Sequence, residues 1–317
     1  MHVNDAAAFN FVVSQAATIN PRVYEQQFPE LPWNQLVFVD TTAPEWTPGI
    51  ITFASSTAGA ARWFSGGAKD VAKADVTMDK VQTAVHMAAI GYGYDLEEVG
   101  QAQLMGMNLT TTKATGARRA YNEFMWNVTQ TGDTAKGLKG LVNQTGVTAG
   151  TAPADGTSSA TTWFNAGGQA TKTPAQILRD FNNVIIGAYT GSNTVEMADT
   201  VLLPFNVLAW LGVTPISDTN SETILSYIQR NNFYTQQTGQ QLTIRGVLGL
   251  DTAGAGGTRR MAAYTNREDV VKLHLPMPHR FLPVYQDGPV NFEVPGIFRT
   301  GGVDVQRPGA FRYLDGI

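Results

Sequence analysis

The sequence predicts an α+β fold. Helix-forming and strand-forming stretches follow one another without the alternating β-α-β rhythm of a parallel sheet. One helix opens on a complete capping box at Thr173, and residues 260–317 read as short strands cut by turns. At 317 residues the chain can make one large domain or two to three ordinary ones.

Up to about Gly49 the chain is rich in proline: Pro21, Pro29, Pro32, Pro44 and Pro48 are interleaved with Val23, Tyr24, Phe28, Leu31, Trp33, Leu36 and Phe38. Proline at this density blocks helix and sheet interiors. An extended arm cannot bury large apolar side chains on itself, so it docks on its own body or on a neighbour. Tyr24, Phe28, Leu31 and Trp33 are its candidate contacts.

Residues 50–75 read as a strand, a glycine-broken tip and a return strand, with Ile50, Thr52 and Ala54 facing a segment around Val71 and Lys73. Gly59, Gly66 and Gly67 break the tip, which carries Arg62, Trp63 and Phe64. Adjacent aromatics exposed on a monomer mark a contact site; the other reading folds them back onto the core. Residues 75–89 alternate through Val76, Met78, Val81, Thr83, Val85 and Met87, the pattern of a strand with one wet face, until Gly91 and Gly93.

Helices follow. Asp95 caps a short one whose first turn holds Glu97 and Glu98, where carboxylates complement the helix dipole. After Gly106 and Asn108 a longer helix carries Ala114, Ala117, Tyr121, Phe124 and Val128 as an apolar stripe and ends at Gly132. A Gly/Ser/Thr-rich stretch at 151–171 is a subdomain boundary. Thr173, Pro174 and Gln176 then open a helix with Ile177, Phe181, Val184 and Ala188 inward. Val201 to Leu203 is a short buried strand. Residues 204–211 form a helix closed by Gly212, and residues 222–230 another with Ile224, Leu225 and Ile228 inward. Leu242, Ile244, Val247 and Leu250 are strand residues around a turn; Val270 to Leu273, Val303, Val305, Phe311 and Tyr313 mark the closing strands.

Composition narrows the function. There is no cysteine, which excludes disulfides, thiolate nucleophiles and zinc–thiolate sites. Net charge is −4, with Arg118-Arg119 and Arg259-Arg260 as isolated basic pairs, so no basic stripe grips nucleic acid. No apolar run approaches the ~18 residues of a membrane span, and no signal peptide is visible. Charged residues are 15% of the chain, against roughly 25% in soluble proteins. Interface cores are depleted in Lys, Glu and Asp, so the low figure points to surface buried between copies; a Thr/Ala-rich enzyme has the same composition.

The chemistry-bearing residues do not form a catalytic constellation. His2, His86, His274 and His279 form no HExxH, and the five-residue spacing of the last two on an extended segment does not aim both at one metal. There is no GxSxG elbow and no phosphate-binding loop; residues 254–259 are glycine-rich but lack the lysine and the following helix. Glu97 and Glu98 point in different directions on their helix. No cofactor is implied.

Several segments, taken in order, resemble the major capsid proteins of tailed bacteriophages that share the Hong Kong 97 phage capsid fold. Residues 24–32, YEQQFPELP, look like the family's arm, and residues 91–98, GYGYDLEE, like its lead into the spine helix. Residues 117–120 and 137–141 resemble helix and post-helix segments. Residues 260–264, 276–278, 299–303 and 307–310 resemble its closing signature.

The resemblance implies an N-terminal arm at 1–48, an extended hairpin loop at 49–75, a peripheral domain with the spine helix at 76–150 and an axial domain at 151–255. Residues 256–317 would return to complete the peripheral domain's sheet. It further implies hexamers and pentamers of identical copies forming an icosahedral head around double-stranded DNA, assembled in the bacterial cytoplasm with scaffold, portal and decoration proteins as partners. Some relatives lock the shell with Lys–Asn bonds, but no family pattern assigns that role to Lys69 or Lys73. The family's scaffolding extension is missing from the N-terminus, so the scaffold is a separate protein or the chain begins near its mature end. An encapsulin-type nanocompartment shell is the alternative with the same fold; a Thr-rich hydrolase or carbohydrate-binding protein is the alternative of another class.

Overall fold

The computed structural model describes residues 29–58, 73, 75–104, 108–217 and 219–317. The chain divides into two units, Met1–Leu31 and Pro32–Ile317. Residues 29–31, the described end of the first, have no regular structure; the architecture below is that of the second.

After a 3-10 turn at Trp33–Gln35 come β1 (Phe38–Asp40) and a hairpin of β2 (Gly49–Ala58) and β3 (Asp75–Ala84). β4 (His86–Ala89) and β5 (Tyr92–Asp95) lead into α1 (Leu96–Leu104) and α2 (Leu109–Gln130). The small β6 (Gly132–Asp133) and β7 (Leu138–Lys139) pair, β8 (Thr148–Thr151) follows, and α3 (Pro174–Gly191) begins the central part. That part continues through β9 (Thr200–Pro204), α4 (Phe205–Val213), β10 (Pro215–Ser217), β11 (Asn220–Thr223), α5 (Ile224–Asn231), α6 (Phe233–Thr238) and β12 (Thr243–Val247). The remaining strands are β13 (Arg260–Tyr264), β14 (Val271–His274), β15 (Met277–Phe281), β16 (Tyr285–Gln286), β17 (Asn291–Val294), β18 (Gly296–Thr300), β19 (Gly302–Val305) and β20 (Phe311–Asp315).

Local chemistry sets the helix ends. The Asp95 carboxylate accepts from the Glu98 backbone N–H at 2.6 Å while the Glu98 side chain accepts from the Asp95 N–H at 3.3 Å, a reciprocal cap for α1. Asn108 caps α2 by accepting from the Thr111 N–H. Past its C-terminus Gly132 takes φ +71°, a left-handed turn that a side chain would strain, and a Cβ there would lie 2.3 Å from the Leu138 carbonyl oxygen. At α3 the box of Thr173 and Gln176 is complete, with Pro174 at the first helical position.

The largest core lies where α3 packs on a five-stranded sheet of order β12-β9-β13-β20-β8. Ile177, Phe181, Val184, Ile185 and Ala188 meet Val201, Leu203, Met261, Ala263 and Leu314. Every residue of β9 and β13 is buried, as central strands covered on both faces require. A clamp closes the sheet: Arg260 donates to both oxygens of Asp315, at 2.6 and 2.8 Å, and to the Val142 carbonyl at 2.6 Å, its guanidinium 4.6 Å from the Tyr313 ring. A bidentate charge-assisted pair of this kind fixes geometry as well as energy.

A second core forms under α2. Tyr121 stacks on His279 at 5.0 Å and meets Phe298 edge-on at 4.8 Å, joining the helix to the sheet β15-β18-β4. Two further three-stranded sheets, β16-β17-β5 and β1-β14-β19, flank it.

Three expectations need correction. The return strand of the hairpin is β3, not a segment around Val71 and Lys73: Ile50, Thr52 and Ala54 face Thr83, Val81 and Asp79. β3 offers a ten-residue strand run that matches β2 residue for residue, from Gly49 opposite Ala84 to Ala58 opposite Asp75. On α2 the buried position is Met125, with Phe124 39% exposed, because a stripe continued from Tyr121 by four residues stays closer to one face than a step of three. Finally, residues 256–317 do not all return to the sheets around α2. β13 and β20 lie between β9 and β8, and only β14 to β19 build the other sheets. The strand run 260–264, with two small alanines and no polar alternation, suits a site walled on both faces.

Replacing Met125 with Ala should therefore cost the unassembled subunit ~2–5 kcal/mol in urea unfolding, and Phe124→Ala distinctly less. The reverse order would contradict this packing.

Candidate assembly surfaces

Of the candidate contact residues, Tyr24, Phe28, Arg62, Trp63 and Phe64 lie outside the described residues, and Leu31 closes the first unit. Trp33 has a partner within its own subunit. Its ring meets Tyr121 edge-on at 6.3 Å and its indole N–H donates to the Asn122 side chain at 3.4 Å, which leaves it half-buried.

The stretch from Trp33 to the hairpin is strapped to the body. Leu36 and Val37 are buried, and the Leu36 carbonyl accepts from the Tyr264 hydroxyl, whose ionisation burial pushes strongly upward. β1 runs parallel to β14, which places Asp40 opposite His274. The fully buried imidazole lies between two carboxylates: Nε2 is 3.2 Å from Asp304 and Nδ1 is 3.3 Å from Asp40, the latter too misaligned for a hydrogen bond. Burial pushes the Asp40 carboxyl up, but bonds from the Thr42 side chain and backbone and the charges of His274 and Lys272 outweigh it and hold it below the usual value. Further on, Glu45 pairs with Arg280 at 3.1 Å and its carbonyl accepts from Arg299 at 2.9 Å, with the Arg299 guanidinium 5.8 Å from the Trp46 ring.

Among the described residues the hairpin has no such cover. β2 and β3 pair, among the described residues, only with each other. Ile51 and Phe53 on β2 share a face with Val76 and Met78 on β3, as their register requires. All four are exposed, Phe53 by 65% and Met78 by 69%, and Val81 is exposed on the opposite face. The expected single wet face for residues 75–89 thus holds for neither side of β3. A two-stranded ribbon is marginal by itself, and a row of large apolar side chains on it is an unsatisfied contact surface.

The buried charges are matched internally. Lys172 and Asp180, both fully buried, pair at 2.8 Å; Trp163 donates to Asp180 at 3.1 Å; and Arg179 binds Asp180 at 2.8 Å and also Asp155. The network ties the loop around Asp155 to the first turns of α3. Among the described residues no three His, Asp or Glu side chains stand close enough to hold a metal ion. His86 sits half-buried in β4, and His279 is taken up by its ring contacts.

Residues 59–317 match the family described as Major capsid protein. The chain belongs to that family. As a major capsid protein it is a component of a phage head shell. No curated protein matches it in sequence. Its fold is that of phage capsids: it superposes on the capsid of Myoviridae phage XM1 with a TM-score of 0.77 at 18% identity, covering 96% of this chain and 98% of that one. A native GTA particle capsid gives 0.64 at 10% identity and the Mycobacterium phage Ogopogo structure 0.59 at 10%, each covering 99% of both chains.

Sequence reading missed Asp40, His274 and Asp304, which lie on three strands and meet only through pairing. It also missed Ile51, Phe53, Val76 and Met78 as one row. Their period-two spacing was readable, but the register that joins the strands was not.

One consequence of the charge network is a pH dependence. Arg179, with Lys172 behind it, holds the Asp155 carboxyl at about 2, well below its ordinary 3.8. A depressed folded-state value stabilises the fold above the unfolded value, and the benefit is lost as pH falls through the folded one. The melting temperature of the subunit should fall between about pH 4 and pH 2, and the Asp155→Asn variant should show a shallower slope there. Parallel slopes would argue against this role.

Proposed function

We propose that copies of this chain close into the icosahedral head of a tailed phage, as hexamers and pentamers around double-stranded DNA, with each hairpin lying over a neighbouring subunit. The observation that carries the reading is the exposed row Ile51, Phe53, Val76 and Met78 on a ribbon without a covering layer among the described residues. Burying one such side chain stabilises a contact by ~1.5–3 kcal/mol. That is modest singly and sufficient when the same contact repeats around a closed shell. The low charged fraction of 15% fits a surface buried against copies.

In this reading residues 1–48 are the arm, with 32–48 serving as its root on the subunit's own body. Residues 49–75, prolonged in the hairpin to Ala84, form the extended loop. The remainder of 76–150, from Val85 on, forms with β14 to β19 the peripheral domain around α2. Residues 151–255 with β13 and β20 form the axial domain. The protein's role is structural, not catalytic, and its buried charges serve the fold. Scaffold, portal and decoration proteins are its partners during assembly in the host cytoplasm. DNA lies nearby without being gripped, in keeping with the net charge of −4.

The test is a pair of double variants. Phe53→Ser with Met78→Ser should leave subunit melting nearly unchanged, since both side chains are solvent-exposed, yet reduce shell yield at least tenfold in size exclusion and electron microscopy. Trp63→Ala with Phe64→Ala should likewise impair assembly more than folding. Normal shells from the first variant would sink the hairpin's assigned role; a stable compact monomer under all conditions would sink the shell itself.

A further inference from the structure

The strap that joins the buried Leu36-Val37 pair to the hairpin is anchored by a charge. From Phe38 to Pro48 only Asp40 is buried, while Glu45 and Trp46, which also touch the body, are exposed. β1 runs along β14 from Phe38 to Asp40, and the Leu275 N–H donates to the Asp40 carbonyl at 2.8 Å at the end of that ladder. A buried carboxylate is costly unless a cation and hydrogen bonds meet it. How firmly the strap lies on β14 therefore turns on what faces Asp40.

The fully buried His274 ring faces it, and faces a second carboxylate as well: Nδ1 stands 3.3 Å from Asp40 and Nε2 3.2 Å from Asp304. An imidazole with one proton donates from one nitrogen and carries a lone pair on the other. In either neutral form a lone pair is turned toward a carboxylate. With both protons in place each nitrogen presents an N–H to an anion, although Nδ1 meets Asp40 off-axis, as an ion pair without a hydrogen bond. Asp40 further accepts from the Thr42 hydroxyl and N–H and lies 3.8 Å from Lys272. The Thr300 hydroxyl and the Gly301 N–H hold the His274 carbonyl. Of the elements packed on these strands, the turn at Trp33–Gln35 and the last two turns of α2 bring no charge. β7 meets Gly302 through Leu138, and Lys139 alternates to its other side. β4 brings His86 opposite Thr300.

We propose that doubly protonated His274 is a latch that holds the strap on β14, and that loss of one of its protons loosens residues 38–48 and the base of the hairpin that follows. Imidazole is the side chain that ordinarily changes charge between about pH 5 and 8. The cation between Asp40 and Asp304 favours attachment, so attachment is full on the acid side and weakens as pH rises. Once a lone pair opposes a carboxylate, Asp40 is the one that yields. Asp304 sits within β19, which pairs with β14 from Gly302 to Val305, whereas the strap has no second buried side chain to keep it down. The inference rests on contacts inside one subunit and stands apart from the shell reading.

Hydrogen exchange of the full-length subunit reads the strap directly. Exchange in residues 38–42, corrected for the pH dependence of the chemical step and divided by that of residues 260–264 in β13, is expected to rise at least fivefold from pH 6 to pH 9. Asp304→Asn is the deciding variant. Its amide donates to Nε2 while the Nδ1–H faces Asp40, so a neutral ring is satisfied on both sides and the strap should stay down, with the rise cut below twofold. His2, His86 and His279 are all retained in that variant. A full rise that survives it therefore comes from elsewhere and overturns the latch. A parent chain whose strap exchanges alike at both pH values overturns it too. If Asp304→Asn does not fold, Asp40→Asn makes the same test from the other carboxylate: Nε2–H then serves Asp304, the Nδ1 lone pair faces an amide, and the same flat profile is expected.

Discussion

The subunit depends on a closure made at its very end. Arg260 on β13 grips Asp315 on β20, and this pair sets the two strands side by side in the middle of the five-stranded sheet. Between Tyr264 and Phe311 the chain leaves that sheet, builds the strands around α2 and returns. The two halves of the body are therefore interleaved along the sequence, not strung one after the other. The five-stranded sheet is incomplete until β20 returns, after the strands around α2 have all been laid down. A body so tied is a rigid platform for whatever projects from it.

Against that platform the hairpin is the opposite case. Its strands satisfy each other's backbone groups, while Ile51, Phe53, Val76, Met78 and Val81 stay exposed among the described residues. The energetic logic is a division of labour. Well-packed helices and sheets give the subunit its stability, with Phe181 and Met125 fully buried. The ribbon's apolar row adds nothing to that core, with Phe53 65% and Met78 69% exposed. The root of the arm belongs with the body: Asp40, Glu45 and Leu36 are bound by His274, Arg280, Arg299 and Tyr264.

Local signals were legible in the sequence wherever chemistry within a few residues decides structure. The capping box at Thr173, the Asp95 cap, the buried stripe of α3 and the strand character of 201–203 and 311–313 all rest on short-range rules, and the structure has them in place. Pairing was not legible. That β13 sits next to β9, or that β3 rather than an earlier segment answers β2, is settled by which strands must be walled on both faces, and this depends on everything else in the fold. The same limit applies to the assembly surface: Phe53 and Met78 are unremarkable residues until register aligns them. The family resemblance was spread over many short segments, and its order along the chain carried more weight than any one of them.

Val85 deserves a mechanical reading. It is a single buried residue between β3, which belongs to the ribbon, and β4, which belongs to the sheet under α2, and its N–H is held by the Pro48 carbonyl at 3.1 Å. A ribbon ten residues long measures ~33 Å, so a rotation of only ~10° about this point carries its far end by about 6 Å. The one buried residue at that point thus sets the direction in which the whole ribbon leaves the body.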